Sequence, residues 1–233
     1  MDVALLRRHV PQSLSVDTCK GQAWIGLSSY QVGGVRPMGT PAVPGLSSFL
    51  ELNLRTYVTH REDRGLYFFS LDASSPLAVW LARKFFHLPY FRARVQCAEE
   101  DGRHRFSSRR NHRGAQPAEF DCSWQPGGPV ARRDAGTWID FLSDRCEFFV
   151  QYRNRIYSSA VWHQPWTLSQ ATVHSLDTTI FEAAGLSMPP EPPLAHYGHD
   201  LVMDLWPQRE LTGQRDNATL LDPALAPPPV SFS

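Results

Sequence analysis

Glu51-Leu52-Asn53-Leu54-Arg55-Thr56-Tyr57-Val58 is the stretch whose reading decides the fold. Side chains alternate between the two faces of a strand, so period two sorts it cleanly. Leu50, Leu52, Leu54, Thr56 and Val58 fall on one face; Glu51, Asn53, Arg55 and Tyr57 fall on the other. In an ordinary half-buried strand that second face meets water. Here it combines an anion, an amide, a guanidinium and a phenol, without a lysine or a second acid, which suits a lined pocket better. The next strand, Gly65-Leu66-Tyr67-Phe68-Phe69-Ser70-Leu71, reads as buried on both sides. Together they predict a mainly β fold, an antiparallel barrel with the polar row facing its interior.

Working outward, residues 2–9 predict a short helix stopped by Pro11. Residues 15–19 and 22–30 read as strands joined by a tight turn at Lys20-Gly21. Residues 36–48, with Pro37, Pro41 and Pro44, form a long loop suited to a rim or flap. The strongest helix is 75–86, with Ser75 as N-cap, Pro76 in the first turn and Leu77, Trp80, Leu81 and Lys84 or Phe85 as the apolar stripe. Residues 90–97, 103–110 and 119–124 predict a meander. Thr137-Trp138-Ile139-Asp140 opens a second helix as a capping box. Strands resume at 147–152, 155–163 and 166–176; a short helix closes at Gly185, and 201–206 is a last strand. The reading is one domain over residues 1–209, followed by a Pro-rich tail, 210–233, expected to be disordered.

The chain has 233 residues, with 23 Lys+Arg balanced by 23 Asp+Glu, so no overall field draws it to nucleic acid or to an acidic membrane. The expected partner is a small molecule, with a homo-oligomer left open. Lys20 and Lys84 are its only lysines, which narrows amine chemistry to two candidates. Its four cysteines, Cys19, Cys97, Cys122 and Cys146, form no C-x-x-C, so we expect reduced, mostly buried thiols and no metal site. No signal peptide or membrane-spanning run is legible, and a cytoplasmic protein is expected. The chain contains no P-loop, dinucleotide fingerprint, G-x-S-x-G or H-E-x-x-H, and no cofactor is expected.

Several segments together resemble the uncharacterised YqjF-like family: Ala23-Trp24-Ile25-Gly26-Leu27, Gly34-Val35-Arg36-Pro37, Pro44-Gly45-Leu46, residues 51–58 and Tyr67-Phe68-Phe69-Ser70-Leu71-Asp72-Ala73. Leu88-Pro89-Tyr90-Phe91, His163-Gln164-Pro165-Trp166 and His196-Tyr197 extend the resemblance, which spans roughly residues 5–207. That family is similar to the acetoacetate decarboxylase superfamily, which implies a cone-shaped β-barrel with an internal cavity. The decarboxylases use a Schiff-base lysine in a Pro-Lys-Lys motif after a helix. Ala82-Arg83-Lys84 matches that helix end and Pro89-Tyr90-Phe91 matches the motif. The resemblance therefore puts Tyr90 where the nucleophile stands and Phe91 where its pKa-lowering neighbour stands. A phenol cannot condense with a ketone to an iminium. Glu51 matches one decarboxylase glutamate, whereas the second falls near Ile25-Gly26, where there is no acid. The superfamily's first segment, which carries an arginine, would precede Met1.

The candidate site is then Glu51 and Tyr90 as catalytic groups with Asn53, Arg55 and Tyr57 as ligand-binding groups. Arg55 would fork onto a carboxylate or carbonyl and Glu51 would act as acid or base; alternatively, a Glu51–Arg55 pair simply braces the interior. Tyr90 would donate to a developing oxyanion, or be a buried phenol bonded to backbone. Lys84 reads as solvated beside Arg83. His163, His196 and His199 lack metal-ligand spacing, and His163 and His196 read as structural. The arginines between Arg92 and Arg113, interrupted by Glu99, Glu100 and Asp101, read as a solvated outer face. Whether the chain is an enzyme is left open by the sequence.

Overall fold

A computed structural model describes residues 1–37, 48–130, 137–211 and 230–232. In chain order its elements begin α1 (Val3–Arg7), β1 (Ser15–Val16), β2 (Thr18–Cys19), β3 (Gln22–Ala23), β4 (Ile25–Gly33), β5 (Arg36–Pro37), β6 (Ser48–His60), β7 (Asp63–Ala73) and α2 (Pro76–Phe85). There follow β8 (Tyr90–Glu100), β9 (Arg103–Arg110), β10 (Glu119–Pro129), α3 (Trp138–Ser143), β11 (Glu147–Tyr152), β12 (Arg155–His163) and β13 (Leu168–Thr178). The last are α4 (Ile180–Ala183), β14 (His196–Gly198), β15 (Met203–Leu205), β16 (Arg209–Leu211) and β17 (Val230–Phe232). The chain is mainly β, as expected.

The local chemistry behind these elements is legible. Lys20-Gly21, Asp101-Gly102 and Arg153-Asn154 all take positive φ at both central positions, the turn whose twist suits a two-residue hairpin. Thr137 caps α3 by accepting from the Asp140 amide, and Ser75 caps α2 by accepting from Ala78.

Two expectations need correction. The sheet is mixed rather than purely antiparallel, and its hydrogen-bonded path, β14-β13-β10-β9-β8-β7-β11-β12-β15-β17-β5 with β6, β4, β1 and β16 branching off, shows no closed barrel among the described residues. The reason lies in α2, which crosses over between β7 and β8 and returns the chain in the same direction, making that pair parallel. A second parallel partner, β11, meets β7 at Leu66 and Tyr67, while β8 meets it at Leu71–Ala73. One edge of β7 is thus shared by two strands at different heights. Gly65 permits the first approach: a Cβ there would lie 2.7 Å from both Glu147 O and Phe149 Cε2.

The second correction is the phase of α2. Ala78 and Val79 are the buried residues, packed with Val35, Phe49 and Ala73, whereas Trp80 and Phe85 are 56% and 58% exposed. Small side chains let the helix sit close on the sheet, and the larger ones are left outside, touching each other edge to face.

The leucine face of β6 packs as expected. Leu52 and Leu54 join Phe106, Phe120, Ile180, Phe181 and Leu186 in the largest core. Phe69 and Phe68 point to opposite sides of β7, into this core and into the Leu71–Leu88–Phe148–Val150 cluster. Most of the β8–β10 arginines are exposed, with Arg105 paired to Asp121 and Arg109 to Glu119. Arg110 departs from that outer face: it is buried and holds Asp72 through two 2.7 Å bonds. Cys19 and Cys122 are buried, Cys97 and Cys146 exposed, and none is disulfide-bonded. No described helix is long and apolar enough to cross a membrane. The expected loop over 36–48 and tail over 210–233 fall largely on residues outside the described set; at their described ends lie β5, β6, β16 and β17.

Candidate functional site

Both faces of β6 are inside the protein, and this is what makes its polar row a candidate site. Glu51, Asn53 and Tyr57 are buried, and Arg55 is half-buried. Three apolar clusters enclose the row. The α2 residues Ala78 and Val79 lie at one end with Phe49 and Tyr90; Leu71, Leu88 and Phe148 lie alongside; Phe141 of α3 closes the Tyr57 end. Register on the flanking strand sets Tyr30 opposite Glu51, Ser28 opposite Asn53 and Gly26 opposite Arg55. On the other side a bulge leaves Phe69 unpaired between Leu54–Ser70 and Arg55–Phe68, so Arg55 starts a new register beyond it.

Five side chains, Tyr90, Glu51, Asn53, Arg55 and Tyr30, form one hydrogen-bonded line. Tyr90 donates to Glu51 Oε2 at 2.5 Å, and Asn53 Nδ2 donates to Glu51 Oε1 at 3.5 Å. Arg55 Nη1 donates to Asn53 Oδ1 at 2.9 Å and to Tyr30 at 3.1 Å. Asn53 therefore stands between the carboxylate and the guanidinium, and a direct Glu51–Arg55 brace is not formed. Its amide has the one orientation that matches a donor to the acid and an acceptor to the cation. Among the described residues Arg55 has no carboxylate within ion-pair distance.

Electrostatics follow from this burial. Desolvation pushes the Glu51 carboxyl up, against the opposing hydrogen bonds of Tyr90 and Asn53 and the charge of Arg55. Tyr90 is pushed well above an ordinary phenol, first by burial and then by Glu51. Burial alone would lower Arg55; the oxygens of Tyr30 and Tyr57 outweigh it and keep the group cationic. An elevated carboxyl bonded to an elevated phenol is a pair that can hold a proton, pass it and take it back.

Tyr90 is itself fixed from behind. Arg83 Nη1 donates to the Tyr90 carbonyl at 2.8 Å, tying the end of α2 to the start of β8. Phe91, one residue on, lies 4.0 Å beneath the Arg110 guanidinium of the Asp72–Arg110 pair. Lys20 and Lys84 are both exposed. The candidate histidines do not converge. His163 Nδ1 lies 2.8 Å from Gln164 O, His196 packs on Trp138 and His199 Nε2 lies 2.9 Å from Ser169 Oγ. Among the described residues no group of three His, Cys, Asp or Glu side chains is arranged to hold a metal.

Sequence reasoning on residues 51–58 missed Tyr30, Gly26, Trp24 and Arg145. The first three were within reach: period two along residues 22–30 puts Trp24, Gly26, Ser28 and Tyr30 on one face. A Cβ on Gly26 would approach Tyr57 Oη to 3.1 Å and Arg55 Nε to 3.4 Å, so the glycine makes room for both. Arg145 enters from the far end of α3; its guanidinium lies 4.3 Å from the Phe141 ring and 5.2 Å from that of Tyr57.

With this geometry in place, comparison with known proteins is informative. Residues 1–201 match a family described as an uncharacterized conserved protein. The chain is also 36% identical over 210 residues to the uncharacterized protein YqjF of Bacillus subtilis (strain 168), covering 90% of this chain and 86% of that one. The chain belongs to the YqjF-like family. Two solved structures share its fold at low identity. Acetoacetate decarboxylase from Legionella pneumophila aligns with a TM-score of 0.57 at 10% identity, covering 91% of this chain and 81% of that one. The enduracididine biosynthesis enzyme MppR, complexed with pyruvate, aligns with a TM-score of 0.59 at 14% identity, covering 91% and 85%. The family implied by the sequence motifs holds, and the likeness to decarboxylase-like structures holds at the level of the fold, without the closed barrel.

Proposed function

We propose that this YqjF-like protein binds a small organic molecule carrying a carbonyl or carboxylate and moves a proton on it. Arg55 anchors the ligand's oxygen, Asn53 and Tyr57 shape the wall, Glu51 takes the proton and Tyr90 donates to the oxygen on which charge develops. The observation that carries this reading is the partly buried Tyr90–Glu51 bond wired through Asn53 to a cation with no carboxylate partner among the described residues. MppR, of similar fold, is described in complex with pyruvate, which supports the ligand class. Imine chemistry is not part of the proposal: both lysines are exposed, and the motif resemblance puts Tyr90 where the Schiff-base lysine would stand.

The test is proton exchange. Incubated in D2O with pyruvate or acetoacetate, the protein should speed loss of the proton signal α to the carbonyl. Glu51→Gln should abolish the effect and Arg55→Ala should raise the ligand concentration required. Borohydride added with either ligand should leave no adduct. Exchange no faster than in buffer, or an adduct on Lys84, overturns the reading.

A second reading is favoured by one feature: Glu51 and Asn53 already satisfy one another inside the row. In that case the line is an internal brace, and wild type and Arg55→Ala will show the same absence of thermal stabilisation by keto acids.

A further inference from the structure

Five side-chain polar atoms are buried without a partner among the described residues, and three of them, Trp24 Nε1, Arg55 Nε and Arg145 Nη2, belong to residues that neighbour Tyr57. Trp24 packs in the same cluster as Tyr57 and Phe141, and Arg145 lies over the Tyr57 ring. The Gly26 gap brings Tyr57 Oη and Arg55 Nε together. All three unpartnered atoms are N–H donors. Burying such a donor without an acceptor carries a desolvation penalty, so three on neighbouring residues call for an acceptor to join them.

The charges point the same way. Arg145 Nη1 and Arg64 Nε both donate to Asp17 Oδ2, at 2.7 and 3.1 Å. Arg64 is half exposed and solvated, so Asp17 balances Arg145 in the interior. Arg55 has no carboxylate of its own within ion-pair distance among the described residues. A group that supplies only acceptors and carries one negative charge fits both deficits.

We propose that Trp24, Arg55 and Arg145 form a carboxylate subsite at the α3 end of the polar row. It rests on the function proposed above and adds a polarity to it. The ligand's carboxylate takes the free N–H groups about Tyr57, and its carbonyl reaches the Tyr90–Glu51 pair further along β6. Arg55 Nη1 is already committed to Asn53 and Tyr30, so its Nε serves the ligand. The site selects oxo acids with separated carbonyl and carboxylate over neutral ketones.

The experiment is isothermal titration of the full chain with 4-oxopentanoate and with 2-pentanone, a neutral ketone of equal carbon count. Wild type should bind the acid at least about tenfold more tightly, the loss expected for removing a hydrogen bond to a charged group. Trp24→Phe keeps a packed ring and removes only the N–H; it should cut the preference for the acid over the ketone about tenfold. Arg145→Lys should do the same, with circular dichroism confirming that it folds. If Arg55→Ala abolishes binding but Trp24→Phe keeps the wild-type acid-to-ketone ratio, the subsite is wrong and the proposed function stands. If wild type binds neither compound, both fall.

Discussion

Tyr90 and Glu51, 39 residues apart in sequence, share a 2.5 Å hydrogen bond inside the protein. The bond spans from the first residue of β8 to the fourth residue of β6, with β7 lying between the two strands. It exists because α2 returns the chain to β7 in parallel, setting Tyr90 beside Leu71 and on the same face as Glu51.

Removing that hydroxyl exposes its worth. Tyr90→Phe leaves the ring packed and deprives Glu51 of its closest donor. The expected loss is about 1.5–3 kcal/mol of unfolding free energy, typical of a bond to a charged group, read from urea denaturation. The Glu51 carboxyl should also rise further, seen as a shifted carboxylate band in infrared titration. A variant with the wild-type midpoint and band would mean the bond contributes nothing.

Glu51 and Asp17 make opposite pH demands. Glu51 is raised in the folded state, so its contribution is full below the ordinary carboxylate pKa and is lost as pH climbs through the elevated value. Asp17 resists burial's upward push, since Arg145 and Arg64 hold it below its ordinary value; its contribution is present at neutral pH and lost on acidification. Glu51→Gln removes only the first effect. Its stability relative to wild type should therefore increase as pH rises from about 4 upward; parallel urea midpoints across that range would refute the assignment.

The Asp72–Arg110 pair, 2% and 3% exposed at its side chains, should be costly to break and cheap to replace. Asp72→Leu or Arg110→Met alone should lose about 3–5 kcal/mol by stranding a buried charge, while the double variant should lose far less than the sum. Additive losses in a double-mutant cycle would show that the two do not act as a unit.

Gly65 sets how closely β7 and β11 approach. Gly65→Ala introduces a carbon 2.7 Å from a backbone oxygen and a ring carbon, and should cost about 1–3 kcal/mol. Hydrogen exchange should show the loss first at Phe148 and Phe149, which pair with β7. Uniform exchange along the whole of β7 would argue against a local clash.

The alternation in residues 51–58 was legible because strand geometry and burial both obey period two, and both faces proved to be inside. The phase of α2 was not. Apolarity ranks Trp80 and Phe85 above Ala78, but a helix pressed close to a sheet buries its small side chains. The parallel partners of β7 escaped for a different reason: nothing local records which strand a crossover returns to. Nor does it record Arg145 reaching Asp17 across 128 residues, or Arg110 leaving an otherwise solvated arginine face to hold Asp72. Tyr90 came into view through family motifs, since a lone tyrosine after a proline has no pattern of its own.

The forked edge of β7 carries a liability during synthesis. The strand is complete once residue 73 has been made, yet the partner of its lower half, β11, begins only at Glu147. Until then a short aromatic ribbon stands with bare amides and carbonyls, open to any stray strand. Chains halted before β11 should clump through Leu66 and Tyr67, and a chaperone should be needed most over that interval.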